Sequence, residues 1–338
     1  MPTIATERTT KTDTRMKAVA AKEYGGPEVL QLYSAPKPTP EPDEVLIRVR
    51  ASTVGPANSA MREGRPFPVR FFSGLRRPTS IPGDAFAGEI AAVGKAVTHF
   101  TVGDRVFGTT APESGAHAEY VCVPEDGTLE LTPPGVSDAE AAAVADNGLT
   151  AMLFLQDVAD LQPGQSILVN GASGGIGTFA VQIAAHIGAE VTGVCSTRNV
   201  DLVRSLGADA VVDYTTTDVA GTGETYDVIF DAVGKGSFAQ FKGMLNPGGL
   251  YVTTVPSGRI LFNMARTRLV GDRRAVFAAT GMKSAGVRRK YLKELRELLD
   301  AGEIRSVIGR RYPIAEIVEA HRYVDTGHKR GTAVITLD

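Results

Sequence analysis

Cysteine is scarce: Cys122 and Cys195 are the only two among 338 residues, and they stand far apart. That excludes a disulfide framework and a cysteine-rich zinc site, and it suits a reducing cytoplasm. Long apolar runs are missing too. No stretch reaches the roughly 18 to 20 residues of a membrane span, and the N-terminus lacks the apolar centre of a secretory signal. Neither sign of charge is in excess, with 36 basic against 38 acidic residues, so no nucleic-acid or anionic-membrane partner is predicted. Ser173 lies inside a Gly-rich turn, which leaves serine-hydrolase chemistry poorly supported. The five histidines, His99, His117, His186, His321 and His328, show no metal-ligand spacing.

What is present describes a globular chain. Hydrophobic residues make up 43%, enough for a substantial core, and the length predicts two domains at about 150 residues each. Residues 1–15 are Thr-rich and charged with almost nothing to bury, and read as a disordered leader. From Lys17 to Thr132, short apolar strands such as VLIRVRAS, GEIAAVG and AEYVCV alternate with Gly- and Pro-rich turns, a pattern of a barrel-like β domain. Pro134 ends it. Ser137 and Glu140 then form a capping box ahead of an Ala-rich helix, which puts a boundary near Val136.

Beyond Ser166 strand and helix alternate. SILVN, EVTGVC, AVVDY, YDVIFDAV, GGLYVTTV and the segment Ala275 to Ala279 read as strands. Phe179, Ala180, Ile183, Ala184 and Ile187 recur at helical spacing, Asn199 to Leu206 and SFAQFKGML read as further helices, and RRKYLKELRELLDAG as a longer one. This texture is α/β: a doubly wound parallel sheet covered on both faces.

The strongest chemical signal lies between SILVN and its helix, in the run Gly171, Ala172, Ser173, Gly174, Gly175, Ile176, Gly177. Glycines there permit a tight turn and let the backbone approach a pyrophosphate, while the helix N-terminus offers amide donors. An NAD enzyme places a carboxylate at the end of the second strand, but this chain has Cys195, followed by Ser196, Thr197 and Arg198. Hydroxyls and a guanidinium suit a 2′-phosphate, so NADPH is favoured over NADH. Tyr214 either packs beside the adenosine end or is an ordinary edge tyrosine.

In combination, YGGPEVL, PGDAFAGEIAAVG, VGDRVFG, GLTA at Gly148 to Ala151, NGASGGIGTFAVQIA, STRN with SLGAD, and GHKRGTAVITL resemble one family. It is the zinc-independent quinone oxidoreductase branch of the medium-chain dehydrogenase/reductase superfamily. The resemblance implies a GroES-like β-barrel domain from residues 16–136 and 300–338, a Rossmann domain from 137–299, a cleft between them for NADPH and substrate, and a homodimer. Zinc-dependent relatives carry ligands where this chain has Gly55, the run Gly83, Asp84, Ala85, and the neighbourhood of Asp146. The resemblance therefore implies no metal. It also implies that Thr150 touches the nicotinamide carboxamide region, and that the glycine turn and Ser196 to Arg198 hold the phosphates.

Many relatives have an Asn where this chain has Gly55, with Asn58 three residues later. Asn58 either takes a polar role or caps a helix beginning at Ser59, and Arg62 either faces the cleft or ties down the loop. Asn58, Arg62 and Asn147 are the candidate groups for the oxygen that gains charge. The expected activity is hydride transfer from NADPH to a quinone or an α,β-unsaturated carbonyl, with the proton drawn from solvent. The competing readings are a zinc-free NADP-dependent alcohol or aldehyde oxidoreductase and a non-catalytic NADPH-binding protein.

Overall fold

The computed structural model describes residues 14–337. The leader reading for 1–13 therefore lies outside the described residues, and at its other end it gives way: Arg15 already opens strand β1 (Arg15–Ala21), paired antiparallel with β2 (Leu30–Pro36).

A seven-stranded sheet follows. Its organising strand is β3 (Glu44–Val54), whose eleven residues are long enough to serve different partners along one edge. The first half of β3 pairs with β6 (Tyr120–Pro124) and the second half with β15 (Thr332–Thr336), while β4 (Ala85–Val93) runs along the other edge. β5 (Arg105–Thr109), β7 (Thr128–Leu131) and β14 (Ile308–Pro313) complete the sheet. Alternation puts Val45, Ile47 and Val49 inward, where they pack with Phe86, Ile90, Val106 and Leu129, and with Ala333 and Ile335 from the C-terminal strand. The last residues of the chain thus complete the core of the first domain. Two helices follow β3 in the chain: α1 (Pro56–Glu63) and a single turn, α2 (Arg70–Ser73).

The second sheet has six parallel strands in the order β10-β9-β8-β11-β12-β13. These are β8 (Ser166–Asn170), β9 (Glu190–Cys195), β10 (Ala210–Asp213), β11 (Tyr226–Asp231), β12 (Leu245–Thr253) and β13 (Arg274–Phe277). Ile167, Leu168 and Val169 are buried on both faces, as a continuous apolar run in a covered parallel sheet must be. The chain winds outward through β9 and β10 and then returns to β11 on the other side of β8. That reversal creates a crevice at the C-terminal ends of β8 and β11, where ligands of such sheets bind.

A helical stretch joins the domains. Ser137 caps α3 (Asp138–Ala143) with the reciprocal Glu140 bond. The Ala-rich helix does not stay regular, however: Val144–Gly148 winds as a π turn, α4 (Leu149–Met152) follows, and Leu153–Val158 is π again. Such wide turns re-aim side chains and are frequent at functional sites. The remaining helices are α5 (Gly175–Ile187), α6 (Val200–Ser205), α7 (Phe238–Phe241), α8 (Gly258–Leu269), α9 (Ala285–Asp300) and α10 (Ile317–Asp325). α9 buries Tyr291, Leu292, Leu295 and Leu299, one face of an amphipathic helix, with Ser284 as its N-cap.

Candidate active site

The Gly-rich turn forms at the crevice. Gly171 sits at φ +86°, and a Cβ on Gly177 would stand 2.1 Å from the carbonyl oxygen of Gly171, so both positions require glycine. Gly174 is the extended N-cap of α5 and supplies no side chain to the helix end, which leaves the first-turn amides for a ligand. Ala172 is buried beneath the turn and Ile176 packs against the core. Ser173 is fixed instead of free: Asn199 Nδ2 donates to its Oγ at 3.0 Å, and Gly331 N donates to its carbonyl at 2.8 Å. The C-terminal loop thereby lies alongside the turn, and brings Lys329 with it. Lys329 Nζ and Asn147 Oδ1 would stand 2.8 and 2.5 Å from a Cβ on Gly175. An uncapped helix end, an ammonium and close-approach glycines are a donor set that fits a dinucleotide pyrophosphate.

At the end of β9, Thr197 Oγ1 donates to Asp213 Oδ2 at 2.6 Å, and Arg198 Nη2 donates to the His328 carbonyl at 3.1 Å. Ser196 begins the turn and Tyr214 follows β10, half exposed beside it. Asp213 was not among the residues singled out from sequence. It sits opposite Cys195 across the β9–β10 pair and accepts from both Thr197 and Thr215, bonds that hold its carboxyl below the usual range.

The substrate side of the cleft is assembled from distant segments. The helix at Asn58 begins at Pro56, with Gly55 as N-cap, so the expected start at Ser59 is corrected. Asn58 is the third helical residue, and its Oδ1 reaches back to accept the Gly55 N–H at 2.8 Å. Asp146, aimed by the first π turn, accepts from Thr53 Oγ1 at 2.7 Å and from Asn147 Nδ2 at 3.1 Å. Asn147 Nδ2 also bonds Thr332 Oγ1 at 3.2 Å, and Thr150 lies half-buried just beyond on α4. Burial first, and then the Asp146 charge, push Asp84 up to about 6. Burial likewise raises Asp146 and lowers Lys329, each charge partly offsetting the effect on the other.

Arg62 faces inward and is engaged with its own domain. The guanidinium donates to the Gly25 carbonyl at 3.1 Å, to Glu63 at 2.8 Å and to Asp325 at 2.9 Å, and meets His321 Nδ1 at 2.9 Å. It ties α1 to α10. Asn58 and Arg62 also line a pocket whose walls include Leu30, Met61, Pro78 and Pro82. Of the residues named from sequence for one cleft, the structure brings Asn147 Oδ1 against Gly175 of the glycine turn, and Thr150 follows on α4. Lys329 was not anticipated; Asp84 and Asp146 had drawn notice only for what relatives carry there. No group of three or more His, Cys, Asp or Glu that could hold a metal ion occurs among the described residues.

Comparison with known proteins gives the same architecture. An alcohol dehydrogenase GroES-like domain model matches residues 41–133, and a zinc-binding dehydrogenase model matches residues 206–335. The chain is 32% identical to the chloroplastic quinone-oxidoreductase QR1 of Triphysaria versicolor, over 95% of this chain and 98% of that protein. It is 28% identical to the chloroplastic NADPH-dependent alkenal/one oxidoreductase of Arabidopsis thaliana, over 95% and 79%. The solved quinone oxidoreductase from Coxiella burnetii superposes with a TM-score of 0.85 at 28% identity, over 96% of this chain and 100% of the other.

Proposed function

The chain belongs to the zinc-independent quinone oxidoreductase branch of the medium-chain dehydrogenase/reductase superfamily, and from that premise we propose that it is an NADPH-dependent reductase of quinones or α,β-unsaturated carbonyls. The observation that carries this reading is the meeting at Gly175 of the phosphate turn with Asn147 and Lys329, which joins a cofactor cradle to a polar cleft. When bound, NADPH supplies the hydride.

This chain's own residues bind and orient. The first-turn amides of α5 and Lys329 receive the pyrophosphate, and Ser196, Thr197 and Arg198 receive the 2′-phosphate. A carboxylate at the tip of β9 would oppose that phosphate, and Cys195 stands there. Tyr214 flanks the adenosine end and Thr150 the nicotinamide. Asn58, lining the apolar pocket, offers a hydrogen bond to the oxygen that gains charge, while Arg62 holds α1 in place. Gly55, Asp84 and Asp146 stand where zinc-dependent relatives carry ligands; glycine offers no ligand, and two carboxylates fall short of the three or four groups a zinc site needs.

The open edge of β13 and the exposed Leu269 and Val270 support a homodimer, which solution mass measurement tests. Two unpaired thiols, Cys122 and Cys195, suit a reducing cytoplasm. The activity is tested by NADPH oxidation in EDTA-treated protein against a quinone, an enone, a short enal and a saturated aldehyde. Turnover with the first three and not the last is expected. Oxidation of simple alcohols with NADP, or binding without turnover, would replace this reading with a dehydrogenase or a non-catalytic NADPH binder.

A further inference from the structure

A segment without acidic residues runs beside the pocket. Between Gly64 and Gly83 stand four arginines and not one aspartate or glutamate, so the near-neutral total of the chain conceals a local excess of positive charge. The same segment carries Phe67, Phe71 and Leu75, which are 60, 67 and 58% exposed. Single exposed apolar residues are ordinary on a protein surface, but gathered ones mark a contact. Here they are gathered: Phe67 and Phe71 meet edge to face at 5.9 Å, one from a 3₁₀ turn (Phe67–Val69) and the other from α2.

The segment is held in this shape from within the domain. Arg70 lies over the Tyr24 ring at 4.4 Å and donates to the Gly64 carbonyl at 3.2 Å. The Tyr24 hydroxyl meets Ser73 Oγ at 2.9 Å and donates to the Gly74 carbonyl. The Thr79 amide then closes a loop onto the Ser73 carbonyl at 3.0 Å. Gly74, at φ +118°, permits that loop, since a Cβ there would stand 2.2 Å from the Arg77 carbonyl oxygen. Leu75, Arg76 and Arg77 form its exposed tip, while Ser73, Pro78 and Ser80 at its base line the pocket that Asn58 also lines. Patch and pocket are two sides of one loop.

We propose that residues 64–80 dock on the surface of an anionic lipid bilayer. Phe67, Phe71 and Leu75 enter the boundary between headgroups and acyl chains, and Arg65, Arg76 and Arg77, all exposed, meet the lipid phosphates. Charge and ring geometry choose this occupant over others. A second copy presenting the same patch brings arginine against arginine. A single-stranded nucleic acid needs open ring faces on which successive bases stack, whereas Phe67 and Phe71 stand at 86° to each other with an edge turned into a face. No helix among the described residues is long and apolar enough to cross a membrane, so the contact is peripheral. It sets the loop that walls the pocket against the phase in which apolar molecules concentrate. The docking does not depend on the reductase reading.

The chain has no tryptophan, so Phe71→Trp places a single indole reporter in the patch. The full-length variant is titrated with vesicles of phosphatidylcholine and with vesicles of an equal mixture of phosphatidylcholine and phosphatidylglycerol. The anionic vesicles should shift the indole emission to the blue, brominated acyl chains should quench it, and added salt should weaken both effects. Affinity should exceed that for neutral vesicles by at least about 10-fold. In co-sedimentation without the reporter, Phe67→Ser with Phe71→Ser, and separately Arg76→Glu with Arg77→Glu, should each lose about 10-fold in binding. Their urea midpoints should stay at the wild-type value, because these side chains are exposed. Phe262→Ser on α8, where the ring is 68% exposed outside the segment, should bind as wild type does. Unchanged emission on anionic vesicles, equal binding to neutral ones, or loss through Phe262→Ser in place of the loop variants would overturn the proposal. So would a blue shift that grows with protein concentration in the absence of lipid, which assigns the patch to a second copy. A shift on a single-stranded oligonucleotide without one on vesicles would overturn it in favour of nucleic acid.

Discussion

The two halves of the cleft are built in different ways. The proposed cofactor half is local: Gly171 to Gly177 are consecutive, and the backbone itself would be the binding group. The proposed substrate half is dispersed, drawing Asn58, Asp84 and Asp146 from segments separated by tens of residues. A function carried by backbone amides tolerates little in its own few residues. One carried by side chains depends on the whole architecture that gathers them.

The largest effect should come from breaking the local half. Gly177→Ala forces a methyl to 2.1 Å from a backbone carbonyl that cannot move without opening the turn; NADPH affinity, by fluorescence titration of a variant checked by circular dichroism, should fall at least about 100-fold. Retained affinity would erase the distinction between the halves. The dispersed half should fail through stability. Arg62→Met removes the charge that pairs with Asp325, leaves the buried His321 ring and the Gly25 carbonyl without their Arg62 contacts, and should cost about 2 kcal/mol in urea unfolding.

Acid should act on the same domain. Burial holds His117 at about 4 and His321 at about 3, against 6.5 when unfolded. The unfolded chain therefore takes up protons that the native state refuses, and stability is full above pH 6.5 and declines as pH falls from there toward 4. For His117 alone the loss approaches ~3 kcal/mol, so the urea midpoint should drop steeply between pH 6.5 and 4.5. A flat midpoint would place water against those rings. The smallest effect sharpens cofactor choice: Arg198→Ala should weaken NADPH by about 10-fold and NADH hardly at all. Equal weakening would leave Arg198 as a tether for the His328 loop, whose carbonyl it bonds.

Legibility followed the same division. The β8–turn–α5 unit could be read because strand period, glycine spacing and helical period all coincide within a few residues. α8 was not read: Arg259, Arg266 and Arg268 interrupt its apolar residues, and Leu261 and Phe262 are exposed, so no buried stripe marks it. The start of α1 was misplaced because Gly55, with no side chain to signal a cap, takes the position that Asn58 was expected to fill. The π turns leave no periodicity of their own, yet they aim Asp146 and Asn147. Lys329 is a surface-type residue in a short loop, and the pairing of Gly331 with the turn at Gly174 brings it to Gly175. Proximity between distant segments has no linear signature.

The most direct test of metal-free hydride delivery in this cleft follows the hydrogen. EDTA-treated protein is given an enone and NADPH deuterated at the transferring position of C4, and the product is read by mass spectrometry and NMR. One deuterium bound at the β-carbon is predicted, with solvent hydrogen at the α-carbon. Product free of label, or label lost to water, would contradict direct transfer between a cofactor on the Gly171–Gly177 turn and a substrate beside Asn58.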